Sequence, residues 1–90
     1  MAKAIIDPEE VKRFARELGR FREELEKGMN LINARMNALG HTWRDQEHNK
    51  FQVEFEQTLR AISRFTKATE DHVPYLMRKA EKAQEYLDQG

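Results

Sequence analysis

Cysteine is absent from the 90 residues, so no disulfide framework holds this chain and no thiolate serves as nucleophile or metal ligand. Glycine numbers four and proline two, too few for a loop-rich fold, and no β-branched run bounded by turn residues marks a strand. No apolar stretch approaches the ~20 residues that span a bilayer, and the patch after Lys3 falls short of the ~7–15 residues of a cleavable signal. The expectation is synthesis in the cytoplasm without such a signal, no membrane insertion, and export, if any, by another route.

Neither charge sign is in excess. Sixteen Lys and Arg balance sixteen Asp and Glu, mixed locally as in Glu23-Glu24-Leu25-Glu26-Lys27, which argues against nucleic acid as a partner. Catalytic material is sparse as well. There is no Gly-rich phosphate loop, and Ser63, the one serine, sits mid-helix with no His one turn away. His41, Asp45 and His48 fall at i, i+4 and i+7 and would share a face only if a helix ran through Gly40. The expected turn makes them solvated turn and cap residues, so no metal and no cofactor is expected, and the chain does not read as an enzyme.

What is present is helix. Charged residues make up 36% of the chain, the composition of long solvent-washed helices. Asp7-Pro8-Glu9-Glu10 combines a capping carboxylate, a proline suited to the first helical position and acids at the positive end of the dipole. From there Val11, Phe14, Leu18, Phe21, Leu25, Gly28, Ile32, Arg35 and Leu39 alternate by three and four, a coiled-coil-like seam that Gly40 closes. Gly28 on that seam either admits another helix closely or is a tolerated gap.

A second pattern follows the turn: Phe51, Phe55, Thr58 or Leu59, Ile62, Phe65, Thr69, Val73, Leu76, Ala80, Ala83 and Leu87, with Asp45 as its N-cap. Pro74 lies inside it and predicts a kink or short break near Asp71 to Val73. One domain, 1–90, is therefore expected: helix 1 about 8–39, turn about 40–45, helix 2 about 46–72 continuing kinked over about 74–88. The second helix outruns the first, so Tyr75 to Gly90 should protrude, pack on another chain, or fray.

A short turn makes the helices antiparallel neighbours, with the seam from Val11 to Leu39 set against Phe51 to Val73. Beside the seam run Ala15, Met29 and Met36 at seven-residue spacing, interrupted by Arg22, and on the second helix Leu59, Ala61 and Ala68. Stripes wider than a two-helix contact needs imply a second hairpin. The all-α antiparallel hairpin is thus expected to dimerise into a four-helix bundle. Trp43, the one tryptophan, sits at the bend, where a bulky aromatic plugs the bundle end or offers a surface to another protein.

Length, the central Trp43, Phe51 eight residues after it and the absence of a signal-like N-terminus resemble the Trp-x-Gly (WXG) family of small, early-secretory-antigenic-target-like type VII secretion proteins. The similarity covers nearly the whole chain, with two departures. Asp45 stands in the glycine position of Trp43-Arg44-Asp45, where Asp can cap a helix or adopt a left-handed conformation. The family's Tyr-x-x-x-Asp or Glu tail signal is missing, since Tyr75 leads to Lys79 and Tyr86 to Gly90. The resemblance implies a non-enzymatic substrate or partner of a type VII-like secretion machine, paired with itself or with a similar small helical protein, with a secretion ATPase as a further partner. Trp43, Asp45 and Phe51 are its turn and recognition residues, and a partner subunit can supply the tail signal. On the residues alone, an intracellular scaffold or adaptor without an export role has the same hairpin.

Overall fold

The computed structural model describes residues 5–89. Ala4, in the N-terminal apolar patch, and Gly90, which takes the last position of the tail spacing, lie outside the described residues. Two helices make up the fold: α1 (Pro8–Leu39), 32 residues, and α2 (Gln46–Gln89), 44 residues. Asp7 enters α1 with extended backbone, and its carboxylate accepts from the amides of Glu9 and Glu10 at 3.0 and 3.4 Å. That satisfies two of the donors a helix start leaves unpaired. Glu10 pairs forward with Arg13.

The two helices lie side by side in a hairpin 67 Å long and 14 Å thick. A layer one helix thick has an inside only along the line where the helices touch. On α1 that line is the seven-residue row Pro8, Ala15, Arg22, Met29 and Met36, of which Pro8, Ala15 and Met36 are buried. On α2 it runs through His48, Thr66, Thr69 and Ala80, all buried, with Phe55, Leu59, Ile62, Val73 and Leu76 half-buried between them. The spacing alternates by three and four, as packing of two long helices requires.

Away from the bend the line includes small side chains on both helices. Ala15 and Ala80 are fully buried, and a Cβ on Gly19 would meet the Val73 methyl at 3.9 Å. Thr66 and Thr69 add volume without an unpaired hydroxyl, because each donates back to a carbonyl three residues earlier, at 2.8 and 2.7 Å. Small residues let helix axes approach closely, and rings enter the contact only nearer the bend, at His48 and Phe55. The contact therefore runs along the row that sequence spacing placed beside the seam, and the phenylalanines of the expected seam lie to one side of it. Phe14, Phe21 and Phe65 remain exposed. Val11, Leu18, Leu25, Phe55 and Ile62 stay half-buried.

One polar crossing marks the register. Arg22, whose side chain is 25% exposed, donates to Glu26 at 3.0 Å on its own helix and to Glu70 at 3.4 Å across the hairpin. Eleven residues back from Gly19 is Pro8, and eleven on from Val73 is Gln84, so α1 covers α2 almost to its end. The expected protrusion from Tyr75 does not occur: Ala80 is fully buried, and Leu76, Met77, Ala83 and Gln84 are half-buried. Only the last turn, 85–89, is wholly exposed.

α2 also stays helical through Pro74, so no break interrupts it. The ring is on the exposed side of α2, where water can take the carbonyl that loses its amide partner, while Val73, Leu76 and Ala80 hold the flanking turns on α1. Among the described residues no helix is long and apolar enough to cross a membrane.

Two substitutions test this packing in thermal melts. Ala15→Leu should destabilise the hairpin by about 1–3 kcal/mol, as overpacking of a close contact does. Pro74→Ala, which restores a backbone hydrogen bond on an exposed face, should stabilise it by up to ~3 kcal/mol.

Candidate functional site

Helix α1 ends without a left-handed residue: Gly40 has φ −61° and ψ −15°, and no described residue has positive φ. The chain instead tightens, with the amides of Gly40, His41 and Thr42 bonding three residues back at 3.0–3.2 Å. Leu39 carbonyl then accepts from the Thr42 and Trp43 amides, both at 3.0 Å, and from the Thr42 hydroxyl at 3.2 Å. No cation stands in the last turn of α1. Arg44 supplies one from beyond it, its Nε donating to the Gly40 carbonyl at 3.0 Å, where positive charge suits the negative end of the helix.

Asp45 then opens α2. Its carboxylate accepts from the His48 amide at 2.9 Å, and its carbonyl takes the Asn49 amide at 3.2 Å, the two bonds of an N-cap. This accounts for an aspartate in the glycine position of the Trp-x-Gly pattern. The backbone there needs no positive φ, and a capping carboxylate is more useful than conformational freedom.

Trp43 is half-buried. Its ring meets His48 edge-on, with centroids 5.0 Å apart, and tilts over Phe51 at 6.2 Å. Phe51 stacks on Phe55 at 5.7 Å. The bend thus brings Trp43 and Phe51 together, with Asp45 holding the backbone between them. The indole lies against the first turn of α2 and stays part-exposed.

His48 belongs to this cluster although sequence reasoning placed it among solvated turn residues. It is 7% exposed, and its Nε2 is buried with no hydrogen-bond partner among the described residues. The signal was its spacing: His48 stands seven residues before Phe55 on the contact line. Gly40 adjoins it: a Cβ there would touch the imidazole at an ordinary 3.7 Å and press on the Asn37 carbonyl at 3.3 Å.

From the bend an apolar shoulder runs down one side of the hairpin. A shallow groove of about 200 Å³ is lined by Ile32, Arg35, Met36, Leu39, Phe51 and Phe55. Farther along, Phe21 and Phe65 meet across the helices edge to face at 6.1 Å. Phe14, Phe21, Ile32, Leu39, Phe51 and Phe65 are between 41% and 54% exposed, far more than rings and aliphatic chains of a finished core. Gly28 lies in the same row as Phe14 and Phe21, and a Cβ there would meet nothing within 4 Å. The opposite shoulder is polar, with a groove of about 410 Å³ between Glu26, Asn30, Ser63, Lys67 and Glu70 over Met29 and Thr66. The hairpin thus carries an apolar shoulder, a polar shoulder and an aromatic bend.

The family model for proteins of 100 residues with WXG matches residues 4–88. The fold is similar to crystal structures of a secreted protein, EsxB, from Bacillus anthracis. The wild-type form superposes with a TM-score of 0.78 at 28% identity, covering 94% of this chain and 99% of that one. A single-substitution variant gives 0.80 at 28% identity, covering 94% and 96%. No curated protein matches the sequence.

The cap distinguishes two substitutions at one position. Asp45→Gly, which restores the family motif, should cost only a few tenths of a kcal/mol, whereas Asp45→Ala should cost about 1 kcal/mol. Chemical denaturation of the two variants side by side measures the difference.

Proposed function

The chain belongs to the WXG100 family, proteins of 100 residues with WXG, and from that premise we propose that it is a substrate of a type VII-like secretion machine, acting through protein contact and not through catalysis. The observation that carries this reading is the bend. Trp43, Phe51 and the Asp45 cap form a rigid, partly exposed aromatic projection on a fold similar to that of a secreted relative.

The apolar shoulder supports the second half of the reading, a helical dimer that closes into a four-helix bundle. Leaving six large apolar side chains nearly half exposed forfeits a substantial part of the ~1.5–3 kcal/mol that each could contribute when fully buried. A second hairpin laid on that side recovers it. The paired assembly also bears on export. Tyr75 leads to Lys79 and Tyr86 to Gly90, so the acidic residue of the family's tail signal is missing, and a partner subunit is its natural source. A secretion ATPase is then the component that reads the assembled bend and tail.

Replacing Trp43 tests the role of the bend. Because the ring is only half-buried, Trp43→Ala should lower stability by about 2 kcal/mol, less than the ~3–5 kcal/mol of a fully buried aromatic. Helicity and oligomeric state should persist while export falls. Trp43→Phe, which keeps most of the packing, should lose export with almost no loss of stability. Fractionation of cells carrying the secretion machinery reads both; wild-type protein confined to the cytoplasm would favour an intracellular adaptor instead.

A further inference from the structure

The proposed role of the bend leaves the chemistry of whatever reads it open, and the hydrogen bonds of the bend bear on the choice. We infer that the protein surface recognising the bend carries a carboxylate, an Asp or Glu side chain set beside an apolar one, which docks on Arg44 with Trp43 at its flank. This rests on the reading of the bend as a recognition surface and goes on to name what meets it.

Open donors are the first argument. The side-chain hydrogen bonds of the bend use the Thr42 hydroxyl, the Arg44 Nε and the Asp45 carboxylate. Among the described residues, neither the terminal guanidinium nitrogens of Arg44 nor the indole N–H of Trp43 takes part in one. Nearby acceptors are taken, since the Leu39 carbonyl receives the Thr42 and Trp43 amides and the Thr42 hydroxyl, and the Gly40 carbonyl receives Arg44. What complements a surface of open donors is an acceptor.

Geometry is the second. The bond from Nε to the Gly40 carbonyl at 3.0 Å ties the guanidinium to the end of α1 and leaves the edge formed by both terminal nitrogens clear. That edge matches the two oxygens of a carboxylate in a planar, two-bond pair, which a lysine at the same place would not do. Arg44 is exposed and Trp43 half-buried. Their supports adjoin: a Cβ on Gly40 would touch the His48 imidazole at 3.7 Å, and that imidazole meets the indole with centroids 5.0 Å apart.

Charge is the third. Arg44 joins none of the ion pairs among the described residues, although Asp45 and Glu47 follow it closely in the chain. Asp45 is engaged with the His48 amide. One cation with two acids so near suits a single negative charge, whereas the nearly double charge of a phosphate group meets repulsion there. Nucleic acid needs a row of cations, and the chain has a formal net charge of +0. The part-exposed indole gives the site an apolar flank, which assigns the carboxylate to a protein segment.

Trp43 is the one tryptophan, so its emission reports on the site in the purified full chain. Titration with acetyl-Leu-Glu-Leu-amide at low salt should give a saturable change. The same peptide with Gln in place of Glu, and the variant Arg44→Gln with the Glu peptide, should each bind roughly tenfold more weakly or worse, with Arg44→Lys in between. Circular dichroism should show wild-type helicity in both variants, because position 44 lies outside both helices. The inference is overturned by equal responses to the Glu and Gln peptides, by no response to either, by undiminished binding in Arg44→Gln, or by inorganic phosphate acting as well as the peptide. Export separates the two readings. In cells that export the wild type, Arg44→Glu should be retained, and its export at the wild-type level refutes the carboxylate alone. A wild-type chain that binds the Glu peptide yet stays in the cytoplasm refutes export alone.

Discussion

Everything else in this molecule follows from how closely α1 and α2 approach. Ala15, Gly19, Thr66, Thr69 and Ala80 bring the helices together away from the bend, and the buried threonine hydroxyls are satisfied within their own helix. Close approach makes the inner contact narrow. It turns the phenylalanines onto one shoulder and the polar residues of the opposite groove onto the other, so a two-helix protein acquires two chemically distinct sides. Wider helix spacing would have drawn the rings inward and left no apolar surface to offer.

The bend is the second consequence of that geometry. Two closely spaced helices need a short connection, and short connections leave many backbone groups without helical partners. Leu39 carbonyl, Thr42, Arg44 and Asp45 resolve most of them locally. The indole is therefore not required to hold the turn by itself. It lies across His48 and Phe51 and stays part-exposed, with its orientation set by those rings.

Family likeness and local physics agree on most of this and separate at two places. The aspartate in the motif's glycine position is a local solution, a cap in place of a flexible hinge, and leaves the bend intact. The tail is different. At the family's spacing Tyr75 leads to Lys79 and Tyr86 to Gly90, and neither position carries an acid.

Periodicity, composition and end signals determined that the chain is two antiparallel helices, that Asp7 and Asp45 cap them, and that Trp43 and Phe51 flank one bend. These are local matters, decided by residues within a turn or two of one another. Sequence spacing also located both candidate stripes on α1 but set the aromatic one against α2, because ring size and apolarity weigh more than smallness when a helix is read alone. Only the tertiary structure decided which stripe faces inward, and with it the burial of His48, the cover given to Leu76 through Gln84 and the unbroken passage through Pro74. Each depends on the distance between two helices and on their register, and those are properties of the pair.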